Sequence, residues 1–267
     1  MAAKVDLYNA SYGNYDLAVY RDVRTETYGE DFGQTSWVTT EESHEIPQLL
    51  GLTPTSNVLE IGCGSGRYAL YLAEKIGCRV IGVDINKEGI RDANELARAN
   101  NLTTKARFEA ADASQRFSFA DEAFDVVYAN DVLCHIPGRL AVLREMFRVL
   151  KPGGRMLFSD ALVLAGLISD EEVARRGSIG SYVFVPRGEN EVLIAQSGFR
   201  LLESRDTTQN AAQIAKRRHD ARARRKADLV AIEGETNFLG LQAFLSCVHT
   251  LTSERRLLRF LYVARKP

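Results

Sequence analysis

The chain has 267 residues, 45% of them hydrophobic and 26% charged, with a formal net charge of −1. That length fits one α/β domain with an attached cap, and the charge balance gives no bulk attraction to nucleic acid or to an anionic membrane. Residues 1–19 are polar and tyrosine-rich without the apolar core of a signal peptide, and the longest apolar run, 161–168, is too short to cross a bilayer. Cys63, Cys78, Cys134 and Cys247 have neither metal nor redox spacing, so they read as the reduced thiols of a cytoplasmic protein.

In chain order, residues 14–27 read as a helix, 28–39 as a loop and 40–50 as a second helix. From 57 to 159 short apolar runs alternate with helical patterns, which predicts a parallel sheet covered on both faces. Strands are expected at 57–61, 79–83, 106–110, 124–129 and 154–159. After Ile168 come a short helical segment, a helix over 190–197 ended by Gly198, and a sixth strand at 199–203. The last strand is expected at 257–264, and helical periodicity over 207–232 and 237–250 marks an inserted cap before it.

The first strand runs into Glu60-Ile61-Gly62-Cys63-Gly64-Ser65-Gly66-Arg67. Glycines let the backbone turn sharply and come close to a bound molecule, and the helix start behind them offers unpaired N–H groups. Asp84, ending the second strand, can accept both hydroxyls of a ribose. A dinucleotide site usually wants a third glycine where Arg67 stands, and Glu60 is a poor neighbour for a pyrophosphate. An acid there suits a ligand carrying an ammonium and a sulfonium.

Five blocks then follow in order over about 100 residues, each one strand-helix unit from the next. They are Glu60-x-Gly62-x-Gly64-x-Gly66, Gly82-Val83-Asp84-Ile85, Ala111-Asp112-Ala113, the run from Phe124 to Asn130, and Leu150-Lys151-Pro152-Gly153-Gly154-Arg155. On these blocks the chain resembles the class I S-adenosylmethionine-dependent methyltransferases. The alternatives are a nicotinamide-dependent oxidoreductase on a Rossmann sheet and a non-catalytic cofactor-binding homologue.

The resemblance implies an α/β fold: a Rossmann-like, seven-stranded, mostly parallel sheet with helices on both faces and the last strand antiparallel. The expected divisions are an N-terminal helical lid at 1–50, a cofactor-binding core at 51–206, the cap at 207–252 and a final core strand at 253–267. It implies S-adenosyl-L-methionine as cofactor and methyl transfer to a small-molecule acceptor with an oxygen, nitrogen or carbon nucleophile, with no metal. Gly62, Gly64 and Gly66 would line the methionine end and Glu60 would hold its amino group. Asp84 and Ile85 would meet the ribose side, Asp112 and Ala113 the adenine, and Asn130 the region of the reactive methyl. Asn130-Asp131-Val132-Leu133 lacks the Asn/Asp-Pro-Pro-Tyr signature of enzymes that methylate base amines, so no nucleic-acid partner is expected. His135 is either a general base or a packing residue beside the cofactor.

The loop from Tyr28 to Trp37 is similar to the lid of phosphoethanolamine, glycine and sarcosine methyltransferases. That likeness puts Tyr15 over the sulfonium as a catalytic candidate, Tyr20 toward the acceptor, and Gln34 and Ser36 on the cofactor carboxylate. The lid departs from the group's Ser-Gly-Gly, having Thr35-Ser36-Trp37-Val38, so substrate identity does not carry over. In the cap, Ile214, Arg218, Ala221, Arg222, Arg225, Leu229 and Ile232 fall on one helical stripe. Arg218 and Arg222 are therefore expected to face the pocket and to meet an anionic substrate or a cap acid such as Glu233 or Glu235. A monomer or homodimer without membrane attachment is expected.

Overall fold

A computed structural model describes residues 14–267. The first part of the expected lid, 1–13, with most of the stretch weighed as a signal peptide, lies outside the described residues. Strands β1 (Asn57–Ile61), β2 (Arg79–Asp84), β3 (Ala106–Ala110), β4 (Phe124–Asn130), β5 (Leu150–Leu164), β6 (Val185–Pro186), β7 (Arg200–Asp206) and β8 (Leu257–Arg265) form one sheet. Its order is β3-β2-β1-β4-β5-β8-β7, with β6 paired to β5. β1 to β5 are parallel, whereas β8 runs antiparallel to both β5 and β7.

The sheet has eight strands rather than the expected seven. β5 continues to Leu164, past the apolar run that marked it, and its far end gives Val185 and Pro186 a partner. β5 also starts earlier than expected, because Leu150 pairs with Phe124 before a register shift carries the ladder over Lys151-Pro152-Gly153-Gly154.

Period-two alternation distributes the strand side chains between two cores. Val127, Ala129, Met156, Phe158, Phe260 and Tyr262 join one face, covered by α5 (Arg139–Val149) and α7 (Glu189–Gln196). Val126, Tyr128, Leu157, Leu261 and Val263 join the other, covered by α2 (Thr40–Leu50), α3 (Arg67–Lys75) and α4 (Lys87–Ala99). β1 and β4 run parallel, but the order in which successive strands are added reverses between them, which opens a crevice beyond the carboxyl ends of the strands at that switch point.

Over this edge lie α1 (Ala18–Tyr28), the short α6 (Asp170–Arg176), and α8 (Thr208–Arg224), α9 (Lys226–Glu233) and α10 (Glu235–Ser253). α1 starts at Ala18, later than the expected 14. The cap helices break at Arg225 rather than running on to 232. Tyr28 and Trp37 pack with Ile214, Leu241 and Phe244, and Tyr20 and Val23 pack with Ala221, Leu229 and Phe238. N-terminal segment and cap thus share apolar clusters.

One polar cluster ties these layers to the sheet. Arg259, in the middle of β8, has no solvent exposure. Its Nη1 and Nη2 donate to both carboxylate oxygens of Glu42, at 2.8 and 2.9 Å, and Nε donates to Asp131 at 2.9 Å. Nη1 also donates to Thr207 Oγ1, and Asn210 of α8 donates to Glu42. Removing one partner of such a buried pair leaves the other charges uncompensated. Arg259→Met is therefore expected to destabilise the protein by about 3–5 kcal/mol in denaturant unfolding, far more than Arg107→Met on the exposed pair with Glu109.

Candidate active site

At the carboxyl edge of the sheet lies a cavity of about 770 Å³. Gly62 after β1, Asp84 and Ile85 after β2, Asp112 and Ala113 after β3, and Asn130 and His135 after β4 all line it. Its other wall comes from Ser36 and Trp37 of the lid loop, Arg176 of α6, Ile179 and Tyr182, and Arg218 and Phe244 of the cap.

The glycine loop explains its own composition. Gly62 has φ +74°, and a Cβ there would overlap the Val132 side chain. Gly66, with φ +70°, precedes α3, and a Cβ would come within 2.6 Å of Phe108 and 2.7 Å of Ala93. The third glycine thus lets α3 sit close to β3 and α4. Arg67, where a dinucleotide site would want glycine, instead reaches Asp16 at 2.8 Å.

The Asp84 carboxylate accepts from the Gly64 amide and the Asn86 amide, each at 2.8 Å. Burial raises its pKa, and the amides of Asn86, Gly64 and Ile85 oppose that rise. The helix cap is Asn86, which accepts from Gly89, so Asp84 does not serve as the cap of α4. Ile85 is 71% exposed at the cavity mouth, an apolar side chain left for a flat ring to cover. Asp112 is exposed; its carboxylate accepts from the Ser114 amide at 2.8 Å.

Glu60 Oε2 and Asn130 Oδ1 are among the buried side-chain oxygens that lack a hydrogen-bond partner among the described residues. Desolvation pushes the Glu60 carboxyl from its ordinary 4.5 to about 8, against the neighbouring Tyr128 hydroxyl and with the help of Asp84. Waiting acceptors, an acidic strand end, an exposed isoleucine and a glycine cradle together fit a nucleoside bearing a cationic amino-acid tail.

Of the other expected site residues, Ser36 lines the cavity, whereas Gln34 does not. Its Oε1 accepts from the Phe32 amide and its Nε2 donates to the Glu30 carbonyl, so both ends are used to shape the loop. Tyr15 also lies off the cavity. Its hydroxyl sits by Gly33 and Ser65, behind the glycine loop, its ring centre lies 3.6 Å under the Arg24 guanidinium, and burial pushes the phenol to about 12. Tyr20 and Arg222 are drawn away together: the Tyr20 hydroxyl donates to Glu233 at 2.8 Å, and buried Arg222 pairs with the same carboxylate. Of the two arginines expected to face the pocket, Arg218 alone lines it, because the break at Arg225 brings Glu233 back onto Arg222. Ile232, assigned to the inward stripe, is 40% exposed.

His135 lies in the 3₁₀ turn Leu133–His135, its Nδ1 3.1 Å from the Ser181 carbonyl and its ring against Tyr182. Burial lowers its pKa, opposed by the Ser181 carbonyl and supported by Arg176. Asp131 lines the cavity beside Asn130, as its place at the strand end leads one to expect; Trp37, Phe244 and Arg176 are not among the expected site residues, and nothing in periodicity marks them.

Residues 52–192 match a family profile described as a methyltransferase domain, more than half of the chain. The chain belongs to the class I S-adenosylmethionine-dependent methyltransferases. It is 30% identical over 202 residues to 27-O-demethylrifamycin SV methyltransferase of Amycolatopsis mediterranei, covering 71% of this chain and 74% of that one. It is 35% identical over 152 residues to phosphoethanolamine N-methyltransferase 1 of Arabidopsis thaliana, covering 57% of this chain but only 29% of the plant enzyme. Its fold superimposes with a TM-score of 0.79 on Haemonchus contortus phosphoethanolamine N-methyltransferase 2 in complex with S-adenosyl-L-methionine, at 21% identity over 96% of this chain and 60% of that one.

The methyltransferase should show the titration of Glu60 in its stability. Between about pH 4.5 and 8 the folded protein keeps a proton that the unfolded chain has released. Stability of the ligand-free enzyme therefore falls as pH rises through that window and levels off above it. Thermal melts of Glu60→Gln across the same range should lack this component.

Proposed function

We propose that this methyltransferase methylates a small-molecule acceptor held between sheet, lid and cap, with His135 taking the acceptor's proton. The observation that carries this reading is the continuity of one cavity from Asp84, Ile85 and Asp112 to Trp37, Tyr182 and Phe244, with His135 on its wall. When bound, S-adenosyl-L-methionine supplies a methyl carbon on positively charged sulfur, already open to attack. Gly62, Asp84, Ile85, Asp112, Ala113 and Asn130 would hold it, and Glu60 would act on its amino group from beneath the glycine loop.

The remaining work is alignment and exclusion of water. A carbonyl oxygen can only accept, so its pairing with Ser181 keeps the His135 proton on Nδ1 and the ring's lone pair on Nε2. Burial keeps that ring neutral at pH 7. Nε2 would take the proton of an acceptor O–H or N–H as the acceptor's electron pair bonds to the methyl carbon and the carbon–sulfur bond breaks, its pair staying on sulfur as a neutral thioether. The loop presenting Ser181 is pinned two residues on, at Val183: its N–H donates to the Cys134 carbonyl at 2.8 Å, and Arg139 donates to its carbonyl at 2.9 Å. Arg139 is in turn held by buried Asp160 and by Asn190. Tyr15, off the cavity with a raised pKa, serves to seat the N-terminal segment on the glycine loop.

A cytoplasmic setting without nucleic acid is part of this proposal, as is a monomeric or dimeric state. Supporting it, the net charge is −1 and no helix among the described residues is long and apolar enough to cross a membrane.

Calorimetric titration should show binding of S-adenosylhomocysteine and none of NADH; the reverse would overturn the reading. With an acceptor found by release of label from methyl-labelled cofactor, His135→Ala should lower turnover by roughly 10²–10⁴ with S-adenosylhomocysteine affinity preserved. The acidic limb of the wild-type rate profile should lie below pH 6.5, since burial lowers the histidine pKa from that value. A few-fold loss with the limb unmoved would make His135 a packing residue.

A further inference from the structure

We propose that the acceptor half of the cavity is a binding site for an oxyanion carried on an apolar body, with Arg176 as its charged partner. The inference rests on the methyl-transfer reading and specifies its substrate class.

Arg176 ends α6 and is 1% exposed, yet it lines the cavity. Among the described residues, its Nε and Nη1 have no hydrogen-bond partner and no ion pair includes it. The other deeply buried arginines are each neutralised: Arg139 by Asp160, Arg222 by Glu233, and Arg259 by Glu42 and Asp131. A guanidinium withdrawn from water without a counter-charge is costly, so the fold has reason to complete the other three internally. Arg176 is the exception, and it is the one that faces the cavity.

Its surroundings support the cation without cancelling it. The Cζ atom lies 4.3 Å from the Tyr182 ring centre, 5.1 Å from Phe244 and 5.8 Å from Trp37. Aromatic faces attract a cation through their quadrupoles but leave its N–H edge for a true acceptor. Carboxylates nearby are already committed, Asp131 to Arg259 and the Trp37 amide, and Asp160 to Arg139 and Asn190. Half-buried Arg218 adds a second positive charge to the same chamber, its Nη1 only 3.4 Å from the Thr35 carbonyl.

Charge along the cavity is therefore divided. Asp84, Glu88 and Asp112 outnumber Lys87 at the end assigned to a cationic cofactor, and Arg176 and Arg218 stand at the acceptor end, where the charge of Asp131 is already taken by Arg259. Between the arginines the walls are Trp37, Ile179, Tyr182 and Phe244, which favour an apolar or aromatic body. The planar guanidinium fork matches the oxygen pair of a carboxylate or a phosphate monoester.

Trp37 is the chain's single tryptophan and lies against Arg176, so its fluorescence reports on this chamber. Protein saturated with S-adenosylhomocysteine is titrated with phenylacetate, octanoate and phenyl phosphate, and with the neutral phenylacetamide and octanamide. The anions should bind at least about tenfold more tightly than the matched amides. The ratio of phenyl phosphate to phenylacetate then tells which oxyanion the site prefers. Arg176→Met should abolish the preference and Arg176→Lys should retain part of it. Ligand-free Arg176→Met should melt at the same temperature as wild type or higher, because an uncompensated buried charge is gone. Equal binding of acids and amides by wild type, a preference that survives in folded Arg176→Met, or a marked drop in its melting temperature would overturn the assignment. If S-adenosylhomocysteine itself does not bind, the methyl-transfer reading falls and this assignment with it. If it binds and acids match amides, the assignment alone falls.

Discussion

The buried guanidinium of Arg259 is the constraint on which the rest of the structure depends. It stands in the middle of β8, where every neighbouring strand position is apolar and buried, and a lone cation there would be among the most costly features a core can hold. The fold answers by bringing three segments to it. Glu42 comes from α2, Asp131 from the end of β4, and Thr207 from the start of the cap. Asp131 also accepts the Trp37 amide at 2.9 Å, so the lid loop is placed by the same charge cluster that fixes the cap. Asp131 has φ +57°, a conformation that few residues other than glycine adopt, and its own amide is held by the Ser159 hydroxyl. Beside it in sequence stands Asn130, which lines the cavity. The position of the roof and the shape of the catalytic edge are thus two consequences of one electrostatic demand.

The sheet determines where chemistry is possible. Parallel strands deliver loops to one edge, and the reversal between β1 and β4 leaves room there. What sets that edge apart is polarity along the cavity, from acidic strand ends to a histidine and then to arginines among aromatic rings. Methyl transfer from a sulfonium asks little of acid–base chemistry and much of alignment, and a chamber with opposite charges at its two ends orients two unlike reactants before either moves.

Much of this was legible in the sequence. Glycines and acids at strand ends have no substitute in backbone conformation or charge, so Gly62, Gly66, Asp84 and Asp112 announce themselves, and the alternation of strand and helix patterns gave the sheet. Several expectations, Tyr15 and Tyr20 among them, depart from the structure for definable reasons. Arg218 and Arg222 share a helical stripe by periodicity, but periodicity does not see the break at Arg225, after which the chain doubles back and Glu233 claims Arg222 and Tyr20. Gln34 looked like a ligand-binding residue, yet hydrogen bonds within its own loop consume its amide. Arg259 did leave a signal, since a single charge inside an otherwise apolar strand must be paired somewhere. Arg176 left none: it ends a seven-residue helix, and only its tertiary neighbours distinguish it from the adjacent exposed Arg175.

The central claim is that the carboxyl edge of the sheet holds the methyl donor with its reactive end toward the chamber under lid and cap. A crystal structure of the S-adenosylhomocysteine complex tests it most directly. The account predicts the ribose at Asp84, the adenine between Ile85 and Asp112, the amino-acid tail at Gly62, and the sulfur open toward Trp37 and His135. Sulfur turned away from that chamber, or the ligand bound outside the cavity, would contradict it.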